Sequence, residues 1–271
     1  ENDNAQKEYY LTDTIAMAVN DGITVNSTHP ETEQEVAGVN SRSQLAELER
    51  YYQRQYAEQL MAAGVTLADP ARLDIRGEVE SGQDVTLDVN VVLIGKIKLG
   101  NNVSIGPGCV INNSVIGDNV VIKPMSVIEE ATIESGAIVG PFARLRPGAK
   151  LAADVHIGNF VEIKNSQIGK ASKVNHLSYV GDTTMGADVN VGAGTITANY
   201  DGANKHRTEI EDNASVGSNS VLVAPVKVSK NATLGAGTIL RKDAPEGELT
   251  LIATKQKTIS GWKRPKKKAE E

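Results

Sequence analysis

The chain repeats an aliphatic residue every six positions from Leu87 to Leu234, with a few steps shortened to five. A small or β-branched residue follows four positions after nearly every aliphatic one, as Val103 follows Leu99. Helices repeat at 3.6 residues and single strands at two, so neither element produces this period. The pattern predicts a mainly β chain folded as a parallel β-helix, in which each unit forms one side of a triangular prism and three units close a turn.

The interior of this prism is predicted to be a narrow aliphatic column. Between residues 71 and 258 the aromatic residues are Phe142, Phe160, Tyr179 and Tyr200. Cys109 falls on a small inward position, and we interpret it as part of the core. A prism filled in this way leaves no room for a ligand. Any site must therefore lie on the outer wall, at a corner or between prisms.

The repeat is interrupted after Thr197, where thirteen residues replace one six-residue step before Ile210. The turns on both sides can still stack, so the extra residues must loop outward. They include Asn199, Tyr200 and Lys205. Loops carried by a rigid scaffold are where binding and catalytic residues concentrate.

The segments outside the repeats have different patterns. Residues 1–42 are mixed, with a helix predicted at 12–20 and a short strand at 23–25, and they are too few to form a core of their own. An apolar stripe at helical spacing follows, with Ser41 as a potential cap. The predicted organisation is a C-terminal remnant of an α/β domain over 1–42, a linker helix over 43–64, the β-helix over 65–258 and a basic tail over 259–271.

The overall charge and cysteine content exclude several kinds of partner. The net charge of −6 argues against nucleic acid, and the basic run at 263–268 is interpreted as a solvated tail. The single cysteine rules out an intrachain disulfide and favours a reducing compartment. No stretch is long enough to span a membrane. We therefore expect a cytoplasmic protein with no membrane insertion.

Two cations are predicted to stack on one outer face. Arg146 and Lys164 each follow an inward aliphatic residue in successive turns, which places them about 4.8 Å apart at strand spacing. A phosphate bound between them would relieve their mutual repulsion. The alternative is that Glu129 and Glu162, which also point outward, pair with them.

The same corner carries a histidine and a tyrosine. Tyr179 points outward beside Gly181, and His176 lies three residues earlier on the same turn. Because a histidine titrates near neutrality, His176 is a candidate general base, although a lone histidine is more often structural. Zinc is disfavoured, since His156, His176 and His206 are separated by 20 and 30 residues. A metal bridging neighbouring turns would need a spacing of about 17 or 18.

Several long segments resemble one bacterial family. They are PFARLRPG at 141–148, GNFVEIK at 158–164, HLSYVGD at 176–182, and NVGAGT at 190–195 continuing to NYDGANK at 199–205. The family comprises bifunctional enzymes with N-acetylglucosamine-1-phosphate uridyltransferase and glucosamine-1-phosphate N-acetyltransferase activities. The resemblance implies a left-handed β-helix, a homotrimer with sites between subunits, and transfer of acetyl from acetyl-CoA to the amino group of glucosamine 1-phosphate on the way to UDP-N-acetylglucosamine.

The resemblance also implies roles for individual residues. His176 matches the proton acceptor, and Lys205 is expected to reach a site across the subunit boundary. Backbone N–H groups near Gly192 and Ala193 are a guess for the oxyanion donors. The residues matching sugar-phosphate contacts are Arg146, Lys164, Tyr179 and Asn190. The residues matching acetyl-CoA contacts are Ala193, Asn199, Tyr200, Ser218 and Ala236.

The chain departs from the family pattern in two places. An arginine that meets CoA near the C-terminus is replaced by Ala253, and Lys255 is close enough to substitute for it. Asn40 matches a residue that helps to hold Mg²⁺ in the uridyltransferase site, but its partner carboxylate and the glycine-rich nucleotide-binding segment are absent. We therefore expect Mg²⁺ only for that site, and no uridyltransferase activity. The alternative to an enzyme is a catalytically silent β-helix that serves as a trimerisation module.

Overall fold

A computed structural model describes residue 5, residues 7–253 and residues 256–264. The described residues fall into two compact units that divide between Tyr52 and Gln53, within the second helix. No helix in the described part of the chain is long and apolar enough to cross a membrane. Lys255 and most of the basic run at 263–268 lie outside the described residues, so the expectations for them stay predictions.

The first unit contains helix α1, Asp13–Asn20, a 3₁₀ helix, Glu33–Val36, and the start of helix α2, Arg42–Ala62. The strand predicted at 23–25 is wrong, because these residues find no strand partner and stay exposed. The regular elements described in residues 7–41 are therefore helices alone, and the interpretation of this segment as a domain remnant stays a prediction. The Ser41 hydroxyl accepts a hydrogen bond from the N–H of Gln44, which caps α2.

The end of α2 follows from a glycine. Gly64 adopts a φ of +101°, which a residue with a side chain rarely reaches. This conformation lets the N–H of Val65 donate to the carbonyl of Leu60 at 3.0 Å, so a helix carbonyl that has lost its helical partner is satisfied.

The second unit is a parallel β-solenoid of three faces, with a short 3₁₀ helix, Pro70–Arg72, between its first two strands. The first face contains Thr66–Leu67, Thr86–Leu87, Ser104–Ile105, Val121–Ile122, Ile138–Val139, His156–Asn159, Lys173–His176, Asn190–Val191, Ser215–Val216, Thr233–Leu234 and Leu249–Thr250. The second face contains Val110–Asn112, Val127–Glu129, Arg144–Leu145, Glu162–Lys164, Tyr179–Gly181, Ile196–Ala198, Val221–Val223 and Ile239–Leu240. The third face contains Val115–Ile116, Thr132–Ile133, Lys150–Leu151, Gln167–Ile168, Thr183–Met185, Thr208–Ile210 and Val226–Val228. Two long strands, Leu73–Ser81 and Val91–Leu99, run through both the second and third faces.

The predicted six-residue register is confirmed. Each of the repeating aliphatic residues from Leu87 to Leu234 is buried, and so is Cys109, whose pKa is raised by its burial. The five-residue steps all lie between the second and third faces, where a small polar or alanine side chain such as Ser166 turns inward. The described interior is therefore lined by buried side chains, which directs the search for a site on this unit to its outer wall and corners.

Replacing Ile128 with alanine should lower the free energy of unfolding by about 2–5 kcal/mol, because the fully buried side chain leaves a cavity that neighbouring turns cannot close. Urea denaturation followed by circular dichroism measures the loss. Val115→Ala is the matched control, since its side chain is 47% exposed. That change should stay within about 0.5 kcal/mol. Equal losses for the two variants would contradict the assignment of inward and outward positions.

Candidate active site on the outer wall

Arg146 and Lys164 stand in one outward column of the second face. Leu145 pairs with Ile163, and the N–H of Arg146 donates to the carbonyl of Ile163 at 2.8 Å, so the register continues to Arg146 and Lys164. One turn further, Lys164 pairs with Gly181. The stacking predicted from the six-residue step is therefore present.

The two cations differ in what they contact. A terminal nitrogen of Arg146 lies 2.8 Å from Glu162, and this hydrogen bond raises the pKa of Arg146. Glu129 instead pairs with Arg144, at 3.5 Å. The alternative of carboxylate pairing thus holds for Arg146. Within the described part of the chain Lys164 forms no ion pair, and it is the cation better placed to receive an anion.

Lys205 returns from the outward loop to Lys164 of its own chain. The ammonium group of Lys164 lowers the pKa of Lys205, while the charge of Asp182 acts in the opposite direction. We call Lys164 and Lys205 the lysine pair. The loop that carries Lys205 is ordered by Asp201, whose carboxylate accepts from the N–H groups of Ala203 and Asn204 and contacts His206 at 2.6 Å.

His176 lies at the corner between the first and second faces, exposed to solvent. Its Nδ1 is 2.9 Å from Oδ1 of Asn159, which is its register partner one turn below. If the amide oxygen accepts, Nδ1 carries the proton and Nε2 keeps a free lone pair. Nothing in the sequence marks Asn159 as this partner except its spacing of 17 residues.

Three of the predicted acetyl-CoA positions stack directly above His176. The N–H of Gly194 donates to the carbonyl of His176, that of Asn219 to Ala193, and that of Gly237 to Ser218, at 3.3, 2.7 and 2.8 Å. His176, Ala193, Ser218 and Ala236 therefore occupy one column on successive turns, which we call the small-residue column. Ala193 is half-buried and Ser218 and Ala236 are exposed, so short side chains cover the corner above the imidazole.

The other two predicted acetyl-CoA positions lie at the start of the loop. Tyr200 is 61% exposed, and its hydroxyl donates to the carbonyl of Gly202 at 2.6 Å. Asn199 is buried, and its side-chain nitrogen donates to the carboxylate of Asp182. Of the two, Tyr200 is the one whose side chain faces solvent.

Of the remaining predicted residues, Tyr179 belongs to the corner of Arg146 and Lys164. It is the register neighbour of Glu162 on the second face, and its hydroxyl lies over Gly181, the register partner of Lys164. Asn190 is exposed on the first face, paired with Lys173 and Ser215. Ala253 is exposed near the end of the described residues. Asn40 belongs to the first unit and is exposed, with its N–H donating to Gln44. The described residues contain no group of three or more His, Cys, Asp or Glu side chains arranged to hold a metal.

A groove with a volume of about 530 Å³ runs down the first face from His176 to Lys123. Phe142 and Phe160 line it and stack with ring centroids 5.3 Å apart. Both adopt left-handed backbone angles at the corner, with φ of 54° and 56°, and both are at least half exposed. The six-residue pattern places these rings outside the core but does not reveal the groove that they line.

Comparison with known proteins gives two kinds of match. Residues 207–242 match the family model for the hexapeptide repeat of succinyl-transferase. The whole chain is 60% identical over 270 residues to the bifunctional protein GlmU of Thiobacillus denitrificans, of which it covers 59%. It is 59% identical over 271 residues to GlmU of Methylococcus capsulatus, again covering 59%. The chain is a homologue of GlmU. It spans about three fifths of the length of these GlmU relatives.

A solved structure supports the fold. The UDP-N-acetylglucosamine acyltransferase of Francisella novicida superposes with a TM-score of 0.51 over 69% of this chain and 66% of that one, at 16% identity. At that identity the match concerns the architecture alone. The parallel solenoid of this GlmU homologue is thus shared with an acyltransferase of known structure.

Proposed function

We propose that the chain transfers the acetyl group of acetyl-CoA to the 2-amino group of glucosamine 1-phosphate. The observation that carries the proposal is His176, held by Asn159 at the foot of the small-residue column. The similarity of the whole chain to proteins named bifunctional protein GlmU supports the proposal, and so does the match of residues 207–242 to the hexapeptide repeat of succinyl-transferase. The proposal includes assembly as a homotrimer with active sites between subunits. It also includes a cytoplasmic location.

His176 would act as the general base. The amine attacks the thioester carbonyl as Nε2 takes one of its protons, and a tetrahedral intermediate forms. Collapse of this intermediate breaks the carbon–sulfur bond, and the imidazolium returns the proton to the leaving thiolate. Base catalysis of this kind contributes about 10² to 10⁴ in rate.

The oxyanion of the intermediate needs a hydrogen-bond donor. The N–H of Gly192 already donates to the carbonyl of Val216 at 2.8 Å, which removes it from the pair guessed from the sequence. The remaining candidate donor to the oxyanion is the N–H of Ala193, one turn above His176.

The lysine pair would bind the phosphate. Lys205 approaches Lys164 closely enough to lower its own pKa, so an anion between the two ammonium groups is favoured by both. Arg146 would contribute less, because contact with the phosphate requires it to exchange its ion pair with Glu162. Asn40 stays a proposed contact for Mg²⁺ in the uridyltransferase reaction alone.

The proposal is tested by incubating the purified protein with acetyl-CoA and glucosamine 1-phosphate. Released thiol is measured with a chromogenic disulfide, and the sugar product by mass spectrometry. We expect thiol release that requires both substrates and matches the acetylated product in amount. Folded protein that releases no thiol above the background hydrolysis of acetyl-CoA would support the silent trimerisation module instead.

A further inference from the structure

Asp182 is a buried carboxylate at the edge of the proposed phosphate site. It occupies the shortened corner between the second and third faces, with a left-handed φ of 49° and 5% of its surface exposed. Asn165 occupies the same corner one turn below, with a φ of 44°. Aspartate and asparagine tolerate this conformation better than most residues, so the corner's backbone explains why these residue types occur there. The backbone conformation does not explain why the carboxylate is buried.

The contacts of Asp182 tie together three turns and both ends of the loop. Its carboxylate accepts from the side-chain nitrogen of Asn165 at 2.5 Å and from that of Asn199. Its backbone carbonyl accepts from the N–H of Thr208 at 3.2 Å, and its own N–H donates to the carbonyl of Lys164 at 3.0 Å. Asn199 opens the loop and Thr208 follows it, so Asp182 holds the loop at its base.

The charged groups around Asp182 are those of the proposed phosphate site. Burial raises its pKa, but hydrogen bonds from Asn165 and Asn199 and the charges of Lys164 and Lys205 outweigh this effect, and the pKa is lowered. Tyr179 is the further titratable group that acts on Lys205. An ionised carboxylate beside two adjacent ammonium groups offsets their repulsion.

We propose that Asp182 is a positioning residue, which holds Lys164 and Lys205 together and docks the loop so that the phosphate site is formed before the substrate arrives. The inference rests on the proposed function only for the identity of the substrate as a sugar phosphate. The binding of phosphate itself can be tested without the proposed function. A site assembled in advance binds more tightly because less order is lost on binding.

The test compares Asp182→Asn with the wild-type protein. We expect the KM for glucosamine 1-phosphate to rise about tenfold or more, with a much smaller change in kcat. The alkaline limb of the kcat/KM profile should move down by about one pH unit, because Lys205 loses the carboxylate that favours its charged form. Asp188→Asn is the matched control, since Asp188 is also at a solenoid corner with a left-handed φ but is exposed. An equal response to both changes would overturn the proposal.

Two further measurements distinguish a positioning role of Asp182 from a purely structural one. In a Lys205→Met background, Asp182→Asn should add little to the rise in KM, whereas a purely structural corner would add its full effect. Inorganic phosphate binding, measured by calorimetry, should weaken about tenfold in Asp182→Asn. This titration still tests Asp182 if the wild-type protein releases no thiol and the proposed function fails. Unchanged phosphate binding in folded Asp182→Asn would overturn the inference.

A second variant covers the case in which Asp182→Asn does not fold. Asn165→Gly suits the left-handed corner and removes one of the two side-chain donors to the carboxylate. It should weaken phosphate binding in the same direction, by a smaller factor. If Asn165→Gly is folded and binds phosphate like the wild type, the positioning role is wrong.

Discussion

Replacing His176 with alanine should lower kcat for acetyl transfer by about 10² to 10⁴-fold, the usual contribution of a general base. The side chain is exposed and contacts Asn159, so its removal leaves no cavity in the core. The fold and the oligomeric state should therefore stay unchanged. Single-turnover thiol release measures the chemical step, and circular dichroism and light scattering check the structure.

His156→Ala is the matched control for this change. His156 is on the same face and lines the groove below His176, and its pKa is lowered by burial and by the charges of Lys123 and Lys173. It lies outside the small-residue column, so we expect its removal to change kcat less than about threefold, an effect below 1 kcal/mol on the barrier. An unchanged kcat in His176→Ala would show that His176 is not the general base.

Replacing Lys164 with alanine should raise the KM for glucosamine 1-phosphate about 10- to 100-fold with little change in kcat. A hydrogen bond to a charged group is worth about 1.5–3 kcal/mol, and each 1.4 kcal/mol is about a factor of ten. The phosphate takes no part in the bonds that form and break, so its binding should affect the ground and transition states alike. Initial rates over a range of sugar-phosphate concentrations give both constants.

Two comparisons sharpen the Lys164 result. Lys150→Ala removes an exposed lysine from the third face and should leave the KM unchanged. Arg146→Ala should have a smaller effect than Lys164→Ala, because Arg146 is already paired with Glu162. If Lys164→Ala behaves like Lys150→Ala, or if glucosamine without the phosphate is an equally good substrate, the phosphate site is misplaced.

The solenoid and its outward columns follow from the sequence for a simple physical reason. A filled prism allows one inward aliphatic residue and one small residue per unit, so counting in sixes fixes which residues face outward. Arg146 and Lys164 are placed together by this count, and the register carries them into one column. The small-residue column above His176 follows from the same count.

The side-chain partners within these columns do not follow from the count. Arg146 has both Glu129 and Glu162 within reach of its column, and the choice of Glu162 depends on local geometry. The return of Lys205 to Lys164 depends on the loop path, which Asp201 and His206 determine through contacts specific to that loop. The strand predicted at 23–25 is wrong because a strand needs a hydrogen-bonded neighbour, and the local sequence does not show whether one is present.

The most direct test is a crystal structure with glucosamine 1-phosphate and CoA bound. The phosphate should contact the ammonium groups of Lys164 and Lys205, the amine should lie within hydrogen-bond reach of Nε2 of His176, and the CoA chain should follow Ala193, Ser218 and Ala236. A phosphate bound instead in the groove near Lys123 and His156, with the amine turned away from His176, would contradict the account.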